Sequence, residues 1–503
     1  MSLNSAHEGY DYQDLLTSYF ILKEILEGHF TSVFTIDKKN TSAGVLDKFD
    51  DLVITNGTEI QRKQIKYSND STSKTLKKDD LANDGGPGLA IHKLFETWKN
   101  LRTPETEFRL CLAWNEPTDY NIKHVLTIQD NNSSFDNYAT KVFKINLDNI
   151  WETDPEKFNR WDVFSRYVRE DLIDRSLFQT FCDELIIELE LPKASLDFTN
   201  PSDLEKILIE QAKKLGIEQY PNDDIYVIDF LVRLAKLAGD YRSKSKEVPV
   251  QDILSDLRVR TDYGAIEQKF KIDNSKNIVI SSKYQLFLRQ IIDNRKSLLV
   301  GEPGAGKSWF LTNFITHLEE NDSRVIRHYC FTSTEDDLYE DRITSNVFFG
   351  NLINSIVGYF PELIMEKTSL LTADLDELNL LLGKIDIPLV IIIDGLDHVE
   401  RVLSNSTSLS QDKTRIIDYI SRIVLPSNVS MILGSQPVDE VQTLIDDHSF
   451  MRLDLPSWDD SDTKLLMEKF SVDDIELDKK HLSTLLIQKS QSPSHILCNC
   501  HLD

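Results

Sequence analysis

Gly301-Glu302-Pro303-Gly304-Ala305-Gly306-Lys307-Ser308 fits the spacing GxxxxGK[ST]. Glycines at these positions let the backbone curl with its N–H groups turned inward, a cradle for the β- and γ-phosphates of a nucleoside triphosphate. Lys307 is expected to reach the terminal phosphates, and Ser308 to offer its hydroxyl to Mg²⁺. Farther on, Leu389-Val-Ile-Ile-Ile-Asp394-Gly-Leu-Asp397 delivers one carboxylate at the end of an apolar run and a second three residues later. Asp394 would hold the magnesium shell directly or through water. Asp397 would polarise an attacking water or bind the same ion. A second set lies near the N-terminus, where Asp50 and Asp51 precede Gln64-x-Lys66. A carboxylate there can bind Mg²⁺, which lowers the pKa of a bound water and stabilises charge on a scissile phosphate. A nearby lysine orients or activates that water. Glutamine at position 64 keeps an oxygen ligand but neutralises less metal charge.

Such groups act only if the chain positions them. Apolar Ser297-Leu-Leu-Val300 precedes the phosphate loop as a strand, and residues 308–320 follow as a helix, the context the loop requires. From about 278 to 440, apolar runs alternate with helical segments, which predicts a parallel sheet buried on both faces. In the N-terminal block, Asn56-Gly57 predicts a tight hairpin with both residues at φ > 0. That hairpin sets Asp50 and Asp51 beside Gln64 and Lys66, which lie two apart and so share a face. Adjacent aspartates point to opposite faces; Asp51 is the preferred metal ligand, and the register decides. A helix over residues 13–30 begins at Gln13.

Composition bounds the rest. The 503 residues exceed one core, so two to four domains are expected. No apolar run approaches membrane-spanning length, and the N-terminus lacks a basic stretch followed by an apolar one. Cys111, Cys182, Cys330, Cys498 and Cys500 form no CxxC pair, consistent with a reducing, cytoplasmic setting. The formal charge of −27 repels nucleic acid as a whole. Any DNA contact therefore needs a local basic surface or a multimer that concentrates one. Arg62, Lys63, Lys74, Lys77 and Lys78 are the cations nearest the hairpin.

The form hhhhDGLD resembles the STAND class of signal-transducing P-loop ATPases. Ser430-Met-Ile-Leu-Gly-Ser-Gln-Pro437 resembles the following sensor strand of that class, with Gln436 where the class usually has arginine. A neutral amide can only hydrogen-bond where a guanidinium would meet the γ-phosphate, so binding is expected to matter more than rapid hydrolysis. Ser490–Leu497 resembles the later G-x-P motif, with Pro493 beside adenine, and Asp341-Arg342 also fits the class. The resemblance implies ATP with Mg²⁺ and nucleotide-controlled assembly of a homo-oligomer, a tetramer by family likeness. The class continues into a winged helix and a repeat-built sensor. This sequence ends at Asp503, so sensing is expected from a further region or a partner chain.

An acidic residue followed by a [D/E/Q]-x-K strand is the working core of PD-(D/E)xK nucleases. Gly9-Tyr-Asp-Tyr-Gln13, opening an α-β-β unit, resembles the start of the double-stranded DNA endonuclease domain that heads effectors of CBASS and AVAST defence systems. The resemblance implies a metal-site role for Gln13, a second Mg²⁺ site at Asp51 and Gln64, duplex DNA as substrate and a phage protein as trigger, with no membrane partner. The fold class expected is α/β multidomain: a restriction-endonuclease-like domain over 1–145, a helical connector over 146–277, a STAND NTPase core over 278–440, and a C-terminal helical part over 441–503. Two other classes fit the same residues: a non-cleaving scaffold with a decayed metal site, and a restriction-type translocase driven by ATP hydrolysis.

Overall fold

A computed structural model describes residues 3–37, 47–68, 74–82, 89–130, 132–151, 173–275, 277–279, 281–333, 335–405 and 416–455, with 462, 465 and 469. The chain forms two compact units, Met1–Glu218 with Asn222–Val259, and Gln219–Pro221 with Arg260–Asp503.

The first unit is built on eight strands: β1 (Val33–Ile36), β2 (Leu52–Asn56), β3 (Glu59–Lys66), β4 (Thr106–Leu112), β5 (Leu126–Gln129), β6 (Lys141–Ile145), β7 (Leu185–Leu189) and β8 (Glu247–Pro249). Their order is β5-β6-β7-β4-β3-β2-β1-β8. The β3–β4 and β4–β7 pairs run parallel and the others antiparallel. Helix α1 (Leu3–Leu26) is buried on nearly every side from Tyr12 to Ile25, so its sequence shows no single apolar stripe. On the sheet's other face, α2 (Ile91–Leu101) and α3 (Arg175–Glu184) close an apolar core around Trp98, Phe108, Leu110, Phe178 and Phe181. Helices α4 (Asp203–Leu215) and α5 (Val227–Lys244) pack on α1.

Two expectations change here. Residues 146–277 are not an all-helical connector, because Leu185–Leu189 and Glu247–Pro249 are strands of this sheet. Leu-Ile-Ile-Glu-Leu lies buried between β4 and β6, where a continuous apolar run suits a strand covered on both faces. Val248, 1 % exposed, ties β8 to β1 as an edge strand of the sheet. The hairpin also turns one residue later than expected. Asn56 pairs with Glu59, so Gly57 and Thr58 are the central pair, and of these only Gly57 has positive φ (+60°). Glycine at the first central position is the type II′ solution.

The second unit carries a five-stranded parallel sheet in the order β10-β11-β12-β9-β13. Its strands are β9 (Lys296–Val300), β10 (Arg324–Tyr329), β11 (Leu389–Asp394), β12 (Val429–Ser435) and β13 (Met451–Asp454). Helix α6 (Ser281–Asp293) precedes β9, α7 (Lys307–Glu320) follows it, α8 (Ser345–Tyr359) covers β10, and α9 (Asp397–Asn405) leaves β11. The central strands are buried almost throughout, with Leu298, Ile391, Ile393, Met431 and Leu433 on one side and Leu299, Ile392 and Ile432 on the other. The segment over 441–503, expected to be helical, instead supplies β13, whose pairing with β9 makes it an edge strand of this sheet, and most of its remainder lies outside the described residues.

Candidate functional sites

The loop from Gly301 to Gly306 joins β9 to α7 at the carboxyl end of the sheet, the edge where open α/β sheets bind ligands. Gly304 (φ +74°) and Gly306 (φ +90°) take the left-handed conformations that close the loop and cap α7. Glu302, Pro303 and Gly304 form an exposed crest, while Ala305 and Lys307 are buried. The Lys307 ammonium donates to the carbonyls of Gly301 (2.6 Å) and Glu302 (3.1 Å). Burial lowers its pKa, against the pull of Asp397, Asp394 and Glu302. To meet a phosphate the ammonium must exchange these carbonyls for phosphate oxygens.

β12 lies between β9 and β11, so the carboxylate ending β11 is delivered beside the loop. Asp394 is 1 % exposed, and among the described residues neither of its oxygens meets a donor in full hydrogen-bonding geometry. Burial pushes its pKa up to about 6; Ser308 and Lys307 pull the other way and Asp397 adds to the rise. Glycine at 434 permits this placement, since a Cβ there would sit 2.3 Å from Asp394 Oδ1. Asp397 Oδ1 accepts the backbone N–H of Gln436 (3.1 Å), while its Oδ2 is buried without a hydrogen bond. His398 and Arg401 stand 3.7 Å from Asp397 Oδ2. Two buried carboxylates beside an ammonium and a serine hydroxyl fit a divalent cation carried with a triphosphate. Gln436 thus contributes through its backbone. Ser435, whose buried hydroxyl has no hydrogen-bond partner among the described residues, is a site residue that the strand pattern did not single out. Pro493 lies outside the described residues. Arg342 is buried away from solvent, bonded to Asp336 and to the Glu267 carbonyl (2.9 Å), and its own carbonyl meets His328 Nε2 (2.9 Å).

In the first unit the register Leu52↔Lys63 brings Asp51 to Gln64 and Lys66. Asp51 Oδ2 accepts from the Gln64 amide, from the Ile65 backbone N–H (2.7 Å) and from Lys66 Nζ (3.2 Å). Among the described residues no donor reaches Asp51 Oδ1, which leaves one carboxylate oxygen, with the Gln64 amide oxygen, for a cation. Gln13 donates to the Asp51 backbone carbonyl (3.1 Å), so it holds the strand end rather than the carboxylate. Asp50 is buried; burial, then Asp51 and Asp47, push its pKa up to about 6.

The basic residues around this hairpin divide. Lys63 is not a surface cation: it is 2 % exposed, with Nζ 3.8 Å from Glu107 and over the Phe20 ring. It alternates with Gln64 and Lys66 along β3 and so faces α1. Arg62 pairs with Asp47 (3.2 Å), and Lys74 with Asp80 (3.1 Å) over Trp114. Lys77 is exposed and Lys78 half-buried.

Residues 275–427 match the family model described as Nephrocystin 3, N-terminal. No curated protein matches the chain. Among solved structures, the Walker-type ATPase PABY2304 of Pyrococcus abyssi is similar at 14% identity, with 46% of this chain, 69% of that chain and a TM-score of 0.29. A DNA replication initiation factor is similar at 13% identity (46% and 64%, TM-score 0.25). AMPPCP-bound DnaA from Aquifex aeolicus is similar at 11% (45% and 63%, TM-score 0.24). The chain thus spans under two thirds of the latter two. No helix among the described residues is long and apolar enough to cross a membrane. Its phosphate loop, the carboxylates leaving β11 and the match over residues 275–427 together make the second unit a P-loop NTPase domain.

Proposed function

We propose that the chain is an ATP-regulated, Mg²⁺-dependent double-stranded DNA endonuclease of bacterial anti-phage defence, in which a STAND-type NTPase unit controls assembly and thereby cutting. The observation that carries this reading is the convergence of Asp51, Gln64 and Lys66 at the end of one hairpin, in a chain that also holds the nucleotide site. Asp51 Oδ1 and the Gln64 amide oxygen would hold Mg²⁺, and Ile65 N–H fixes the carboxylate's direction. Magnesium bound there would lower the pKa of a coordinated water and screen the phosphate. Lys66, 3.2 Å from Asp51, supplies a positive charge to hold that water or the scissile phosphate. Assembly would pair cutting sites across a duplex and sum weak basic surfaces on a chain of net charge −27.

One observation favours a second reading, a scaffold that binds without cutting. Asp51 Oδ2 is already saturated by its donors, and an amide stands where a second carboxylate would strengthen the metal site. The Lys66→Ala variant separates the two. Loss of Mg²⁺-dependent cutting by at least about 100-fold, with duplex binding kept, supports catalysis. Unchanged behaviour in every assay supports the scaffold.

A further inference from the structure

The helix that leaves β11 carries a cation beside the nucleotide site. α9 begins at Asp397, so Arg401 stands one turn on, on the same face of the helix. Its guanidinium lies 3.7 Å from Asp397 Oδ2, beyond hydrogen-bond reach. The Arg401 side chain is 55 % exposed, while that of Asp397 is 4 % exposed. The other oxygen of Asp397 is engaged by the Gln436 backbone N–H (3.1 Å), so Oδ2 is the one that meets Arg401. His398 pins the start of the helix. Its ring stacks on Phe331, just beyond the end of β10, with centroids 4.0 Å apart and 3° between the planes. The charges of Asp397, Arg401 and Lys307 all act on that imidazole, which groups the guanidinium with the loop ammonium around one carboxylate.

The charge balance calls for such a group. Magnesium and ATP together bring about two net negative charges to a site that already holds Asp394 and Asp397. Lys307 and the loop N–H groups face the phosphates from the β9 side. The two carboxylates mark the magnesium end, where the β- and γ-oxygens are bridged. A cation beside Asp397 therefore stands at the terminal phosphate rather than at the base. Gln436 has a neutral side chain and supplies no charge there. We propose that Arg401 is the residue by which the site tells ATP from ADP, its guanidinium turning from Asp397 to a γ-phosphate oxygen. A guanidinium suits this task, being always charged and able to offer two N–H groups to one phosphate. The move costs little, because an exposed ion pair beyond hydrogen-bond distance contributes little. The inference rests on the second unit being a P-loop NTPase domain and is independent of the endonuclease reading.

Calorimetry on the full chain in Mg²⁺ tests it with ADP and with AMPPCP, a non-hydrolysable ATP analogue. The wild-type chain binds both. Arg401→Gln keeps a polar side chain without the charge; it lowers AMPPCP affinity by about 10- to 100-fold, the size of one charged hydrogen bond, and leaves ADP affinity unchanged. Arg401→Lys loses less, because it keeps the charge but not the fork. Melting temperatures without nucleotide stay close to wild type in both variants, as for any exposed pair. An unchanged ratio of AMPPCP to ADP affinity, whether both hold or both fall together, would overturn the role of Arg401 and leave an ordinary helix ion pair. A wild-type chain that binds neither nucleotide would overturn the NTPase assignment and this inference with it. Should Arg401→Gln fail to fold, Arg401→Lys is judged by the same ratio.

Discussion

At the scale of single residues, the nucleotide site trades stability for binding. Asp394 is a buried carboxylate, raised to about 6 by burial against the pull of Ser308 and Lys307. Asp394→Asn removes that charge at constant shape, so the nucleotide-free protein should gain about 1 kcal/mol or more at pH 7.5. The same variant should lose Mg²⁺-ATP binding by at least about 100-fold; thermal melts with and without nucleotide read both. Asp50 offers a pH test. Its carboxyl rises from 3.8 to about 6, so the folded chain holds this proton more tightly than the unfolded chain. Stability from this group therefore falls as pH rises from about 4 to about 6, and stays low above that. Asp50→Asn should be more stable than wild type above pH 6, by about 1–2 kcal/mol after discounting for solvent screening, with the gain fading towards pH 4. Urea midpoints across that range, in chelator, measure it. A gain that grows as pH falls would contradict the assignment.

At the scale of elements, α1 positions the hairpin. Arg242 on α5 holds Asp14 in two bonds of 3.0 and 2.9 Å beneath the Tyr10 ring, one residue from the Gln13 that holds the end of β2. Gly239 admits the approach, because a Cβ there would lie 2.9 Å from Asp14 Oδ2. Arg242→Ala leaves a largely buried carboxylate unpaired and should cost about 2 kcal/mol, discounted for partial exposure; a denaturant titration reports it. The elements also show what the sequence made legible. The phosphate loop, β11 and the grouping of Asp51 with Gln64 and Lys66 follow from spacing alone, because two-residue periodicity and a tight turn constrain neighbours. Long-range pairing does not. β7 and β8 looked like parts of a helical connector because their partners β4 and β1 lie far away in sequence. Lys63 stood among the cations nearest the hairpin because face assignment needs the register, and one step along β3 turns a surface cation into a buried one.

At the scale of the whole molecule, two compact units share one chain, and a charge of −27 makes unaided DNA binding unfavourable. Assembly controlled by nucleotide would overcome this. Lys307→Ala should leave the first unit folded, as judged by exchange protection of β3 and β4, yet remove ATP binding and ATP-dependent assembly in sedimentation. The central claim is tested by cutting of supercoiled plasmid in Mg²⁺ and ATP, with extract of phage-infected cells as the source of trigger. Wild-type chain should linearise the plasmid, while Lys66→Ala and Lys307→Ala should each leave it intact, the first still assembling and the second not. Plasmid left intact by the wild type, or cut equally by both variants, would contradict the account.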